Sequence, residues 1–168
     1  LTITARPITV TADAKSKVYG ETDPALTYQI TSGTLATGET LNGALGRAPG
    51  ENVGAYAITQ GTVTNVNNSN YDITYVGANL TITARPITVT ADAKSKVYGE
   101  TDPALTYQIT SGTLATGETL NGALGRAPGE NVGAYAITQG TVTNVNNSNY
   151  DITYVAANLT ITARPITV

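Results

Sequence analysis

The 168-residue chain carries 12% charged residues and a net charge of −3, and it contains no Cys, His, Met, Trp or Phe. That composition excludes disulfide scaffolds, thiolate and imidazole metal sites, Cys nucleophiles and every Ser-His or Cys-His dyad. A weakly acidic chain without a basic run argues against nucleic acid as a partner, and no apolar run approaches the ~18 residues needed to enter and span a bilayer.

Residues 1–79 recur as 80–158 with one change, Gly77 to Ala156, and the last ten residues repeat the first ten. The chain therefore divides into two units near the small end of the domain range. It starts and stops inside a repeat and shows no signal peptide, so it is expected to be a piece excised from a longer protein.

Thr is the commonest residue, with 31 copies, and together with Val, Ile and Tyr it favours strands. In chain order, the first alternating run has Ile8 and Val10 against Thr9 and Thr11. Leu26, Tyr28 and Ile30 then alternate with Thr27, Gln29 and Thr31. The stretch from Thr37 to Leu45 reads either as a cap followed by a short helix over Leu41 to Leu45 or as a loop into a short strand, with Gly43 and Gly46 limiting any helix to a turn or two. Next come Tyr56 and Ile58, then Tyr71, Ile73 and Tyr75, then Leu80 and Ile82. Turn signals separate these runs at Tyr19-Gly20, Asp23-Pro24, Ser32-Gly33, Asn42-Gly43, Pro49-Gly50, Asn67–Asn70 and Gly77–Asn79. One apolar face and one Thr-rich face per run predict antiparallel sheets with one side in water. With no Phe or Trp, the five Tyr of each repeat are expected to supply the bulk of a modest core.

Apolar parity locates the boundary. Leu80 and Ile82 face inward at even positions, whereas Ile87 and Val89 do so at odd ones, and a one-residue slip turns a strand over. The shift falls at Ala84-Arg85-Pro86, and Pro belongs at strand starts and edges. A second shift lies across Gly77-Ala78-Asn79, where a short hairpin loop or a bulge would explain it. Ala156 in the other copy indicates that this position needs no positive φ, which leaves Asn79 as the candidate for one. The predicted division is residues 1–4 as the orphan last strand of a preceding repeat, 5–83 as repeat 1, 84–162 as repeat 2, and 163–168 as the orphan first strand of a following repeat. The predicted fold is all-β or nearly so: two small β-sandwich or β-grasp-like modules, end to end, with at most one short helix each.

The string Lys17-Val18-Tyr19-Gly20-Glu21-Thr22-Asp23-Pro24-Ala25-Leu26-Thr27-Tyr28 is more specific. With Gly50–Ile58, Asn70–Thr74 and Leu80–Thr83 downstream, it resembles the MBG domain of the YGX type, over both repeats from end to end. That resemblance implies a small β-rich module without a known catalytic role, found in tandem in large bacterial surface proteins, including filamentous-haemagglutinin-like adhesins. Physically the string reads as a folding element: Gly20 permits a tight turn, Asp23 and Pro24 set another, and Leu26 and Tyr28 enter a core strand.

Candidate chemistry is sparse. Asp13, Glu21, Asp23, Glu39, Glu51 and Asp72 read as scattered solvated charges and turn caps, not as the facing pair that glycoside hydrolysis requires. A calcium site from Glu21, Asp23 and carbonyls is the alternative reading of the first turn, although no compact Asp run supports it. Thr-x-Thr pairs read as a solvated sheet face, and Asn65–Asn70 as an exposed turn tip. Asn67 and Asn79 head glycosylation sequons that a bacterial source would leave idle. Lys15 and Lys17, in a polar run, are expected to be exposed and therefore unsuited to an intramolecular isopeptide bond. An exposed Tyr pair could stack on a sugar.

The expected function is that of stalk or spacer repeats of a bacterial cell-surface adhesin, projecting a distal binding domain. The alternative is a carbohydrate- or protein-binding module that uses exposed Tyr. No catalytic residue, metal ligand or cofactor is expected, and no ligand-binding residue is assigned. The expected partners are the neighbouring identical repeats, with host or matrix glycan or protein reached through other domains. The segment is expected to be monomeric, extracellular, and free of membrane insertion and nucleic acid.

Overall fold

Branched side chains at alternate positions, interrupted by glycine turns, leave little sequence that could support a helix. The computed structural model describes all 168 residues and contains strands and no helix. Its contacts separate two compact units, Leu1–Thr83 and Ala84–Val168. The stretch from Thr37 to Leu45 is a loop, pinned by the buried side chain of Leu41.

The first unit has seven strands: β1 (Arg6–Ala12), β2 (Lys15–Val18), β3 (Tyr28–Ser32), β4 (Gly46–Arg47), β5 (Gly54–Thr59), β6 (Tyr71–Val76) and β7 (Ala78–Thr83). They form two sheets, ordered β3-β1-β6 and β2-β7-β5-β4. The second unit repeats them as β8 (Arg85–Ala91), β9 (Lys94–Val97), β10 (Tyr107–Ser111), β11 (Gly125–Arg126), β12 (Gly133–Thr138), β13 (Tyr150–Val155) and β14 (Ala157–Thr162), in the corresponding orders. Residues 1–4 and 163–168, expected as single strands of flanking repeats, carry no strand pairing, and Leu1, Ile3, Ile166 and Val168 are exposed.

The expectation of antiparallel sheets is corrected. β1 runs parallel to β6, from Arg6 opposite Tyr71 to Thr11 opposite Val76. β2 runs parallel to β7, from Lys15 opposite Leu80 to Val18 opposite Thr83. Only the pairs β1–β3, β5–β7 and β4–β5 are antiparallel. Parallel pairing needs a long crossover, and the sequence between Val18 and Tyr71 supplies it. One strand departs from the expected pattern: β2 lacks apolar alternation. β4, two residues long, is the short strand into which the loop after Thr37 leads. The run from Leu26 becomes a strand only at Tyr28.

The buried core is aliphatic apart from Tyr71 and its copy Tyr150. One cluster joins Ile8, Val10, Leu41, Val63 and Tyr71, and a second joins Ala12, Ile58 and Leu80. Of the Tyr residues, Tyr71 and its copy Tyr150 are fully buried, while the others are half-buried or, at Tyr98, exposed. Tyr28, Tyr71 and Tyr75 contribute to the core clusters as expected, but of these only Tyr71 is buried, because a phenol needs a partner for its hydroxyl, which draws the ring to a rim where one exists. Tyr75 donates to the Ile58 carbonyl at 2.8 Å, and Tyr56 to the Asn52 carbonyl at 2.8 Å.

The parity shift between Tyr75 and Leu80 is absorbed at Gly77, the one residue separating β6 from β7. Asn79 does not take up a positive φ; no non-glycine residue does, and Asn79 instead pairs with Ala57 in the sheet. A Cβ on Gly77 would sit 3.4 Å from the Ile58 carbonyl oxygen, an ordinary contact. Gly77→Ala is therefore expected to change the stability of unit 1 by no more than about 0.5 kcal/mol in a denaturant titration. Gly33 is different: at φ +72° a Cβ there would lie 2.4 Å from the Pro7 carbonyl oxygen, so only glycine lets this turn close onto β1.

Candidate functional site

The most strongly organised polar feature of each unit lies where sequence reading placed an exposed lysine. Lys17 projects from β2 with its side chain 4% exposed. Its Nζ lies 2.7 Å from Asp23 Oδ1 and also donates to Glu51. Arg47, on β4, turns its Nε to Asp23 Oδ2 at 2.6 Å and its Nη2 to Asp23 Oδ1 and Glu51. Its Nη1 donates to the carbonyls of Ala48 at 3.0 Å and Gly50 at 2.7 Å. The guanidinium lies 5.6 Å from the centre of the Tyr56 ring, a cation–π distance. Gly50 permits this packing, because at φ +136° a Cβ there would fall 2.1 Å from the ring. β2 and β4 are the two edges of one four-stranded sheet. Two carboxylates from loops thus tie the edges together through one cation each. Lys96, Asp102, Arg126 and Glu130 repeat the arrangement in unit 2.

The electrostatics follow from this geometry. Hydrogen bonds from Arg47 and Lys17 hold the Asp23 carboxyl below its ordinary range, and bonds from Lys17 and Arg47 do the same for Glu51. Burial works against the charge on Lys17, but the bonds to Asp23 and Glu51 outweigh it, so its affinity for the proton rises. Charge pairing on this scale leaves no free nucleophile. An ammonium held protonated cannot attack a carbonyl, and a carboxyl pushed down is the reverse of a general acid tuned toward neutral pH.

These observations correct two expectations. Lys17 is buried and Lys15 half-buried, not exposed. The acids are not all scattered, since Asp23 and Glu51 converge. Glu21 and Asp23, considered together as a calcium pair, have separate partners: Glu21 accepts from the Val18 amide at 3.2 Å, while Asp23 faces the two cations. No three acidic side chains come together anywhere in the chain. Asp13 accepts from the Thr27 hydroxyl at 2.6 Å, which lowers its pKa.

A second feature is an open polar cleft, of about 330 Å³ in unit 1 and 260 Å³ in unit 2. Glu39, Asn42, Asn67–Asn70 and Tyr71 line the first. The Tyr71 hydroxyl donates to Glu39 and accepts from the Ala36 amide at 2.9 Å. The expected turn tip is corrected at Asn68, which is buried. Its Oδ1 accepts from the Asn42 amide at 2.7 Å, and its Nδ2 donates to the carbonyls of Asn42 and Thr64, each at 3.0 Å. Asn68→Ala removes its bonds to the Asn42 amide and carbonyl, while the Thr64 carbonyl keeps the amides of Asn67 and Asn68, and should cost about 2 kcal/mol, read as a lowered denaturant midpoint for unit 1. Asn67, the residue heading one sequon, spends its side-chain amide on the Thr62 carbonyl at 2.8 Å.

The profile of the family described as MBG domain (YGX type) matches residues 8–81 and again residues 87–160. No curated protein sequence and no solved structure matches the chain.

Proposed function

The chain belongs to the MBG domain (YGX type) family as two tandem members, and on that premise we propose that it serves as stalk repeats of a bacterial cell-surface adhesin, without catalytic activity of its own. Each repeat adds length between the cell and a distal binding domain. The observation that carries this reading is the path of the chain through a unit. The chain enters at Arg6 and leaves at Thr83, and these residues sit at opposite ends of the parallel pairing that joins β1–β2 to β6–β7. A module entered at one end and left at the other transmits length.

The polar organisation points the same way. The charged quartet is satisfied internally and ties strand to strand. Near-identity of the two copies also suits a spacer, which needs more of the same and not a distinct site in every copy. In the full-length protein, deleting one 79-residue repeat should bring a distal epitope measurably closer to the cell surface with its ligand binding intact. An unchanged reach, or an interior location of the protein, would overturn the reading.

A second reading rests on the polar cleft beside Glu39 and Asn70, which recurs in both units. It makes each repeat a weak carbohydrate- or protein-binding module. A glycan array probed with the two-unit chain separates the two: the spacer reading expects no bound glycan.

A further inference from the structure

We propose that each unit is a load-bearing clamp, built so that tension along the chain is resisted in shear. The geometry starts from a single number. Arg6 pairs with Tyr71 and Val18 pairs with Thr83, so both parallel ladders have the same offset of 65 residues. Six paired positions in the first ladder, in one sheet, and four in the second, in the other sheet, therefore keep the same two arms side by side along a track that passes from sheet to sheet. Only Asp13 and Ala14 interrupt one arm and Gly77 the other. The Arg6 amide donates to the Asn70 carbonyl at 2.8 Å, and the Tyr19 amide to the Thr83 carbonyl at 2.9 Å, which extends the pairing past both ends. Thirteen residues of extended chain measure about 40 Å.

Tension reaches a unit through the start of β1 and the end of β7, at opposite ends of this track. Separating those points draws one arm past the other, so the ladder bonds share the load instead of opening one after another. The core clusters follow the track in order. Ile8, Val10 and Tyr71 pack together, and Ala12 and Leu80 pack together in the next cluster. Arms folded back on themselves would place the first and last legs in one cluster.

Both loaded strands are interior to their sheets. β1 lies between β3 and β6, and β7 between β2 and β5. An interior strand must break two ladders to leave, whereas an edge strand breaks one. The edge strand β2 is itself pinned by Lys17 through Asp23 and Glu51. Unit 2 repeats every part of this, with Arg85 opposite Tyr150 and Val97 opposite Thr162.

The biological use of the clamp rests on the spacer reading, but its measurement does not. The chain has no Cys, so thiol handles can be placed at chosen positions of the whole 168-residue chain for single-molecule pulling. Leu1→Cys with Val168→Cys loads both units along their tracks, and both positions are exposed and outside the strands. Leu1→Cys with Asn70→Cys instead loads two points at the same end of the unit 1 track and opens it pair by pair. The first geometry should give two unfolding events, each at roughly two-fold or more the force of the single event in the second, because many bonds break together in one case and singly in the other. Equal forces would overturn the clamp and leave the spacer reading standing. A high force in a protein found not to reach the cell surface would keep the clamp and remove the spacer.

Discussion

Leu80→Ala is expected to make unit 1 unfold at a much lower denaturant concentration than unit 2. Leu80 has no exposed surface; it lies on β7 between β2 and β5 and packs with Ala12 and Ile58. Truncating a fully buried Leu costs about 3–5 kcal/mol, because the lost transfer energy is joined by a cavity that the surroundings cannot fill. A 79-residue unit has about 4–12 kcal/mol of stability in total. The substitution therefore removes a large part of it, and a denaturant titration followed by circular dichroism should split into two transitions. Leu159→Ala should do the same to unit 2. One cooperative transition for the whole chain, merely shifted, would mean that the two units do not unfold separately.

The second large effect concerns the charged quartet. Replacing Asp23 and Glu51 together by Ala leaves Lys17 with its side chain 4% exposed and its two carboxylate partners gone. Removing the partners of a buried charge is more damaging than removing the whole pair. The double variant should leave unit 1 unfolded at a temperature where unit 2 is intact, and adding Lys17→Met should restore much of the loss. Lack of rescue would show that the loops themselves, not the stranded ammonium, carry the effect.

The same quartet sets a pH dependence in the wild-type chain. The carboxyls of Asp23 and Glu51 are held below their ordinary values of 3.8 and 4.5. The unfolded chain then binds more protons than the folded one in that range, so stability falls as the pH drops through it. Lys17 is shifted the opposite way, above its ordinary 10.5, so its contribution is complete below that value and is lost only in stronger alkali. Melting temperatures should therefore be nearly flat around neutral pH and decline below about pH 4.5. In the variant combining Asp23→Ala, Glu51→Ala and Lys17→Met, that acid decline should be shallower for unit 1 than for unit 2.

Much of the architecture was legible from local pattern. Ile8 and Val10, Tyr56 and Ile58, and Leu80 and Ile82 alternate as strands do, and each pair lies in one. Partner choice was not legible. Nothing near Arg6 indicates that its neighbour is Tyr71, because that pairing depends on how the intervening chain packs. Lys15–Val18 has no apolar alternation, so a strand held by its neighbours and by ion pairs looked like a polar loop. The quartet was hidden for the same reason. Lys17, Asp23, Arg47 and Glu51 are ordinary charges in sequence, and only folding brings them together. Asp23 did lie within the most specific string of the repeat, but it was read as a turn former. Asn79 shows the opposite error. Its place in a turn-like run suggests a positive φ, whereas one residue between two strands, Gly77 or Ala156, suffices for the parity shift.

The strict period of the chain has an evolutionary consequence. Because residue n and residue n + 79 are the same throughout, apart from Gly77 and Ala156, excising any 79 consecutive residues yields the same product wherever the cut begins. Each unit draws its strands and both of its sheets from its own residues, so every module that survives such a recombination is complete. Large losses or gains that are not whole multiples of 79 would cut into a module and remove strands from its sheets. Lineages carrying this gene can thus drift in whole modules without passing through a misfolded intermediate.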